Sequence, residues 1–177
     1  MSTSTWLSLA TQTLNRLGLT DACRVAILGI GNEINGDDAV GSIVATDLMQ
    51  SVRGASGADF HNQRLIIPAG PVPENFTGKL RNFHPDLVIV IDAAQLDATP
   101  GQVVWVPWYE TVGMSASTHS LPLSMFAKYL SAELGCEVFL IGIQAGNNEI
   151  GEELSIPVAT AANEVVQGLV DLLFPQV

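Results

Sequence analysis

Leu87-Val88-Ile89-Val90-Ile91 is an unbroken apolar run in which four of five residues are β-branched. No polar residue alternates within it, so a strand built here has no face to offer to water. Such strands belong to parallel sheets covered by helices on both sides. The run therefore commits the chain to an α/β architecture, and the surrounding pattern must supply two helical layers.

The flanking sequence supplies them. Thr5 to Leu17 reads as an opening helix, with Trp6, Ala10, Leu14 and Leu17 on one face and Gly18 as its stop. A first strand spans Arg24 to Leu28. After a glycine-rich turn, Val40, Val44, Leu48 and Val52 recur at every fourth position and mark a second helix. A second strand is expected near Phe60 to Ile67, broken by Pro68, and a short helix starts at Pro73-Glu74. The apolar run is the third strand and ends in Asp92. Val103-Val104-Trp105-Val106 is a fourth, reached by a connection too short for a parallel crossover, so it should run antiparallel at an edge, where Pro107 is tolerated. Ser120-Leu121-Pro122 opens a helix carrying Leu123, Phe126, Leu130 and Leu134, stopped by Gly135. A fifth strand covers Val138 to Ile143, and a last helix from Pro157 carries Val158, Ala162, Val165, Leu169 and Leu173. The expected fold is a three-layer α/β/α sandwich: a mostly parallel five-stranded sheet with one antiparallel edge strand.

No repeat or linker divides the 177 residues, so residues 1–177 are read as one domain. No apolar stretch reaches the roughly 20 residues that a bilayer requires. The first residues lack a basic region and a small-residue cleavage site, so no signal peptide is expected. Cys23 and Cys136 each precede a strand in apolar surroundings, which argues against a disulfide framework. These features predict a cytoplasmic protein. Seven basic against 18 acidic residues give a net charge of −11. That balance opposes binding to nucleic acid or anionic membranes, both of which reward lysine and arginine.

The turn between the first strand and the second helix is Gly29-Ile30-Gly31-Asn32-Glu33-Ile34-Asn35-Gly36, and it closes on Asp37-Asp38. Its outline resembles a nucleotide loop, yet Ile34 occupies the third glycine position of the dinucleotide fingerprint. Two carboxylates at a helix start would also repel a pyrophosphate, and no Lys-Ser or Lys-Thr follows for a Walker loop. Helix capping explains one aspartate and leaves its neighbour over. Asp38 follows strand one and Asp92 follows strand three, so both belong at the carboxyl edge of the sheet, where open α/β folds keep their sites. His119, within Ser117-Thr118-His119-Ser120, can reach the same edge. Two carboxylates and an imidazole suit a divalent transition metal, nickel and zinc included, with coordination positions left for substrate. His61 and His84 read as loop residues. No nucleophile elbow occurs, and the cysteines fall at the opposite, amino edge. Asn32 is expected to orient the turn through local hydrogen bonds.

Several ordered motifs together resemble the hydrogenase maturation endopeptidases, in particular the branch serving formate-hydrogenlyase-type [NiFe]-hydrogenases. They are Leu28-Gly29-Ile30-Gly31-Asn32 with Gly36-Asp37-Asp38, Pro73-Glu74-Asn75, Val90-Ile91-Asp92-Ala93, Thr118-His119-Ser120-Leu121-Pro122-Leu123 and Leu140-Ile141-Gly142-Ile143-Gln144. The similarity runs from about Arg24 to near the C-terminus, which implies that residues 1–23 are an N-terminal helical extension outside the family core. It implies an aspartyl-type, nickel-dependent endopeptidase that removes the C-terminal extension of a nickel-loaded large-subunit precursor. It also implies metal and catalytic roles for Asp38, Asp92 and His119, with nickel supplied by the precursor, and leaves helix capping to Asp37; nothing in the sequence demands more than a monomer. Pro68 departs from the family, many members of which carry an aspartate there. Two other readings compete: a nucleotide- or cofactor-binding α/β module, and a nickel chaperone that binds the metal without cleaving.

Overall fold

A computed structural model describes residues 5–18, 23–53, 63–111 and 122–174. Five strands, β1 (Val25–Ile30), β2 (Arg64–Gly70), β3 (Leu87–Ala94), β4 (Val103–Pro107) and β5 (Glu137–Gln144), form one sheet in the order β2-β1-β3-β5-β4. β1, β2, β3 and β5 run parallel, and β4 pairs antiparallel with β5 at the edge. The helices are α1 (Thr5–Arg16), α2 (Val40–Ser51), α3 (Thr77–Phe83), α4 (Leu123–Leu134) and α5 (Ile156–Leu173).

Alternate residues of the central strands feed two separate cores. Val25, Ile27, Ile89, Ile91 and Ile141 meet apolar residues of α1, α2 and α5, including Trp6, Val44 and Val165. Ala26, Leu28, Val88, Val90 and Leu140 meet Leu80 of α3 and Phe126 and Leu130 of α4. Every residue of β3 is buried, as its unbroken apolar run requires. α1 is fastened by more than apolar contact: the Trp105 indole N–H donates to Thr13 Oγ1 at 3.2 Å, and the Trp105 ring stacks on Phe139 with centroids 4.9 Å apart. Gly18 and Gly135 both adopt positive φ, as their positions after α1 and α4 predict.

Two boundaries differ from expectation. The second strand does not break at Pro68 but continues through it to Gly70. Among the described residues β2 pairs only with β1, and an edge strand tolerates a residue without a backbone donor. The ladder then skips Ala69, passing from Gly29↔Pro68 to Ile30↔Gly70. The third strand likewise extends past Asp92 to Ala94, so Asp92 is a strand residue paired with Gly142 rather than the first residue after the strand. Residues 60–62 of the expected second strand lie outside the described residues.

Candidate active site

The glycine-rich turn is held in a narrow space. Gly29 lies against the start of α2: a Cβ there would sit 2.1 Å from the carbonyl oxygen of Gly41. One on Gly31 would sit 2.2 Å from the carbonyl oxygen of Asp38. Gly41 is wedged between the two central strands, with a hypothetical Cβ 2.1 Å from Ile91 O and 2.3 Å from Ile30 O. These close approaches let the 3-10 turn Gly36–Ala39 and the start of α2 rest on the ends of β1 and β3. A Gly41→Ala variant is expected to lose about 2–3 kcal/mol, since neither backbone oxygen can move without shifting a central strand. Thermal unfolding should show a melting temperature lower by about 5–10 °C.

The packing brings the two expected aspartates to one edge. Asp38 is 2% exposed in the 3-10 turn, and Asp92 is fully buried in β3. Asp92 is the residue after Ile91, whose carbonyl oxygen faces Gly41. It shares a face of β3 with Val88 and Val90, the face covered by α4. α4 is also the helix that follows His119 in the chain. His119 itself lies outside the described residues, as does His61. Among the described residues no three histidine, cysteine or acidic side chains converge as a metal cluster. His84 is exposed at the C-terminal end of α3, with positive φ. It is the loop residue that was expected.

Asp37 has a different task from capping its own helix. It is fully buried, and neither the 3-10 turn nor α2 carries a side-chain cap. Its carboxylate accepts from the loop beyond β5: Oδ2 receives the backbone N–H groups of Gly146 and Asn147, both at 2.8 Å, and the Ser155 hydroxyl at 2.9 Å. Oδ1 receives the Ser155 backbone N–H at 2.7 Å. The Asp37 N–H donates in turn to Asn147 O at 2.7 Å. Ser155 is the residue immediately before α5. Asp37 thus binds the turn that bears Asp38 to the last loop and the last helix. These partners are over a hundred residues away, so no local pattern announces them. Asn32 Oδ1 accepts the Ile34 N–H at 3.4 Å, the local turn contact that was anticipated.

A second buried polar residue was visible only as the end of a motif. Gln144 closes β5 at 3% exposure. Its Oε1 accepts the N–H groups of Leu96 at 2.7 Å and Ala98 at 3.3 Å, and its Nε2 donates to Ala145 O at 2.7 Å. It fixes the loop that leaves β3 just past Asp92. A polar amide directly after the apolar run Val138–Ile143 was the available signal.

The cysteines stay outside this edge. Cys23 precedes β1 and Cys136 precedes β5, both at the amino edge, and they are thiols rather than a disulfide. Burial pushes the Cys136 thiol up to about 11, far from a nucleophile at neutral pH. No helix among the described residues is long and apolar enough to cross a membrane.

Comparison with known proteins places the sequence and the fold in a family. The family model described as HycI, hydrogenase maturation protease, matches residues 44–175. A candidate hydrogenase maturation protease of Methanocaldococcus jannaschii is 38% identical over 128 residues, covering 71% of this chain and 75% of its own length. The hydrogenase 3 maturation protease of Escherichia coli K12 is 26% identical over 144 residues, 81% of this chain and 86% of that protein. The crystal structure of the [NiFe] hydrogenase maturation protease HycI from Thermococcus kodakarensis superposes with a TM-score of 0.78 at 30% identity, covering 94% of this chain and 99% of that one. The family match, the sequence similarity and the shared fold lead to one assignment: the chain belongs to the HycI family of hydrogenase maturation proteases.

Proposed function

We propose that this protease is a cytoplasmic, monomeric endopeptidase that removes the C-terminal extension of a nickel-loaded [NiFe]-hydrogenase large-subunit precursor. The observation that carries the reading is the pair of buried carboxylates, Asp38 and Asp92, at the carboxyl edge of a fold belonging to this peptidase family. Hard carboxylate oxygens with an imidazole nitrogen suit nickel, and in this reading Asp38, Asp92 and His119 engage the ion that the precursor already carries. Nickel is then part of the substrate, and its charge offsets the repulsion of gathering two carboxylates.

The chain's own groups perform the remaining work. Asp38, on the turn that Asp37 and the glycines hold rigid, orients a water and takes its proton as the water oxygen attacks the scissile carbonyl carbon. The carbon–nitrogen bond breaks, and that proton passes to the departing amine of the extension. Asp92 and His119 hold the precursor's nickel-bearing end in register with the water.

The test compares nickel-loaded with nickel-free precursor, using mass spectrometry to detect the released extension. Cleavage is expected only for the loaded form. Equal cleavage of both forms would overturn the role of nickel, and cleavage of neither would overturn the activity.

A further inference from the structure

The turn that bears Asp38 also forms one wall of an open cleft of about 620 Å³. Glu33, Ile34, Gly36 and Ala39 line one side, while Glu152 and Glu153 line the other. The two walls are pinned together before any partner arrives. Gly151 N–H donates to Ile34 O at 2.8 Å, and Asp37 holds Gly146, Asn147 and Ser155 on either side of the second wall. A surface that is already ordered loses little conformational freedom on binding.

The two segments that form the cleft also carry apolar side chains left open to water. Ile156, Ile150 and Ile34 are the three most exposed large apolar residues among the described residues, at 83%, 79% and 61%. Exposed apolar side chains gathered on one face, with a polar rim, mark a protein-binding surface. Ile34 lines the cleft, but Ile150 and Ile156 do not. A single extended peptide in the cleft would leave those two uncovered, whereas the surface of a folded partner could cover all three.

The charge on this face is one-sided. Glu33, Glu149, Glu152 and Glu153 belong to these two segments, and no lysine or arginine occurs in residues 25–52 or 129–177. Glu33 is steered by Ser42, whose hydroxyl donates to its Oε1 at 3.4 Å. The ion pair Arg81–Glu133 involves none of these glutamates. The counter-charge is therefore left for a partner to provide.

From these features we infer that the face between residues 33–36 and 149–156 docks the folded body of the protein substrate, through a surface patch of apolar side chains flanked by lysine or arginine. The inference rests on the proposed peptidase function and extends it: the substrate is held beyond its scissile segment. Docking beside Asp38 would raise the local concentration of the extension at the site.

Steady-state cleavage of nickel-loaded precursor tests it with two variants, Glu152→Lys/Glu153→Lys and Ile150→Ser/Ile156→Ser. All four positions are exposed, so both variants should melt with the parent protein. KM is expected to rise about tenfold in each, with kcat within about twofold. Raising salt from about 50 to about 300 mM should raise the parent's KM while leaving that of the lysine variant nearly flat or lower. Mature large subunit lacking the extension should inhibit the parent competitively and the lysine variant far less. Parental KM in both variants, or no inhibition by mature subunit, would overturn the docking surface while the peptidase reading stands. Failure of the parent itself to cleave loaded precursor would remove the peptidase reading, and the docking inference with it.

Discussion

A protein carrying Asp38→Asn is expected to process nickel-loaded precursor at least about 100-fold more slowly than its parent, and Asp92→Asn should fall in the same range. Asparagine preserves the size of the side chain but removes its charge and its capacity to take a proton. Both carboxylates lie almost wholly out of water, at 2% and 0% exposure, so a neutral amide costs no more to bury than the charge it replaces. The melting temperature should therefore stay within a few degrees of the parent's, about 1 kcal/mol in stability. A lost rate in a folded protein separates chemistry from collapse, and single-turnover cleavage with loaded precursor measures it directly. His119→Ala belongs to the same series. If all three variants retain the parental rate, the roles proposed for these residues are wrong.

Asp37→Ala should fail for the opposite reason. The alanine leaves the N–H groups of Gly146, Asn147 and Ser155 and the Ser155 hydroxyl without their shared acceptor, at a position sealed from solvent. Hydrogen bonds to a charged group contribute about 1.5–3 kcal/mol each but do not add fully, so a loss of about 3–5 kcal/mol is expected. In a chain of this size that lowers the melting temperature by about 10 °C or more. Chemical denaturation with the parent as reference would measure it. Asp37→Asn should lie between the two, because one amide oxygen can still accept while the NH₂ group opposes a donor. A stability unchanged in both variants would mean that the four contacts do not fasten the loop. The adjacent aspartates thus separate cleanly: one substitution should remove activity from a folded protein, the other should loosen the fold.

Most of the architecture was legible because it rests on short-range pattern. The run at Leu87–Ile91 required burial on both faces, and the stripe Val40, Val44, Leu48 and Val52 required a helix beneath the sheet; all of these residues are buried. The short link before Val103 forced an antiparallel edge, as found. Pro68 misled because a proline breaks a central strand but not one with a single neighbour, and strand order is a property of the whole sheet. The positions of Asp38 and Asp92 followed from the rule that parallel strands gather their carboxyl ends. The work of Asp37 and Gln144 did not. Their partners lie 109–118 and 46–48 residues away, beyond any periodicity a helix or strand imposes.

The order β2-β1-β3-β5-β4 has a further consequence for a chain emerging from the ribosome. β1, β2 and β3 can pair as soon as they are made, but one flank of β3 then stays open until β5 is synthesised. β4 emerges earlier and cannot fill that gap, because its only neighbour in the sheet is β5 itself. A fully buried central strand thus waits with a naked hydrogen-bonding edge, a template for wrongful pairing with other nascent chains. Crowded, rapid translation should make this half-built sheet a client of chaperones that shield strand edges.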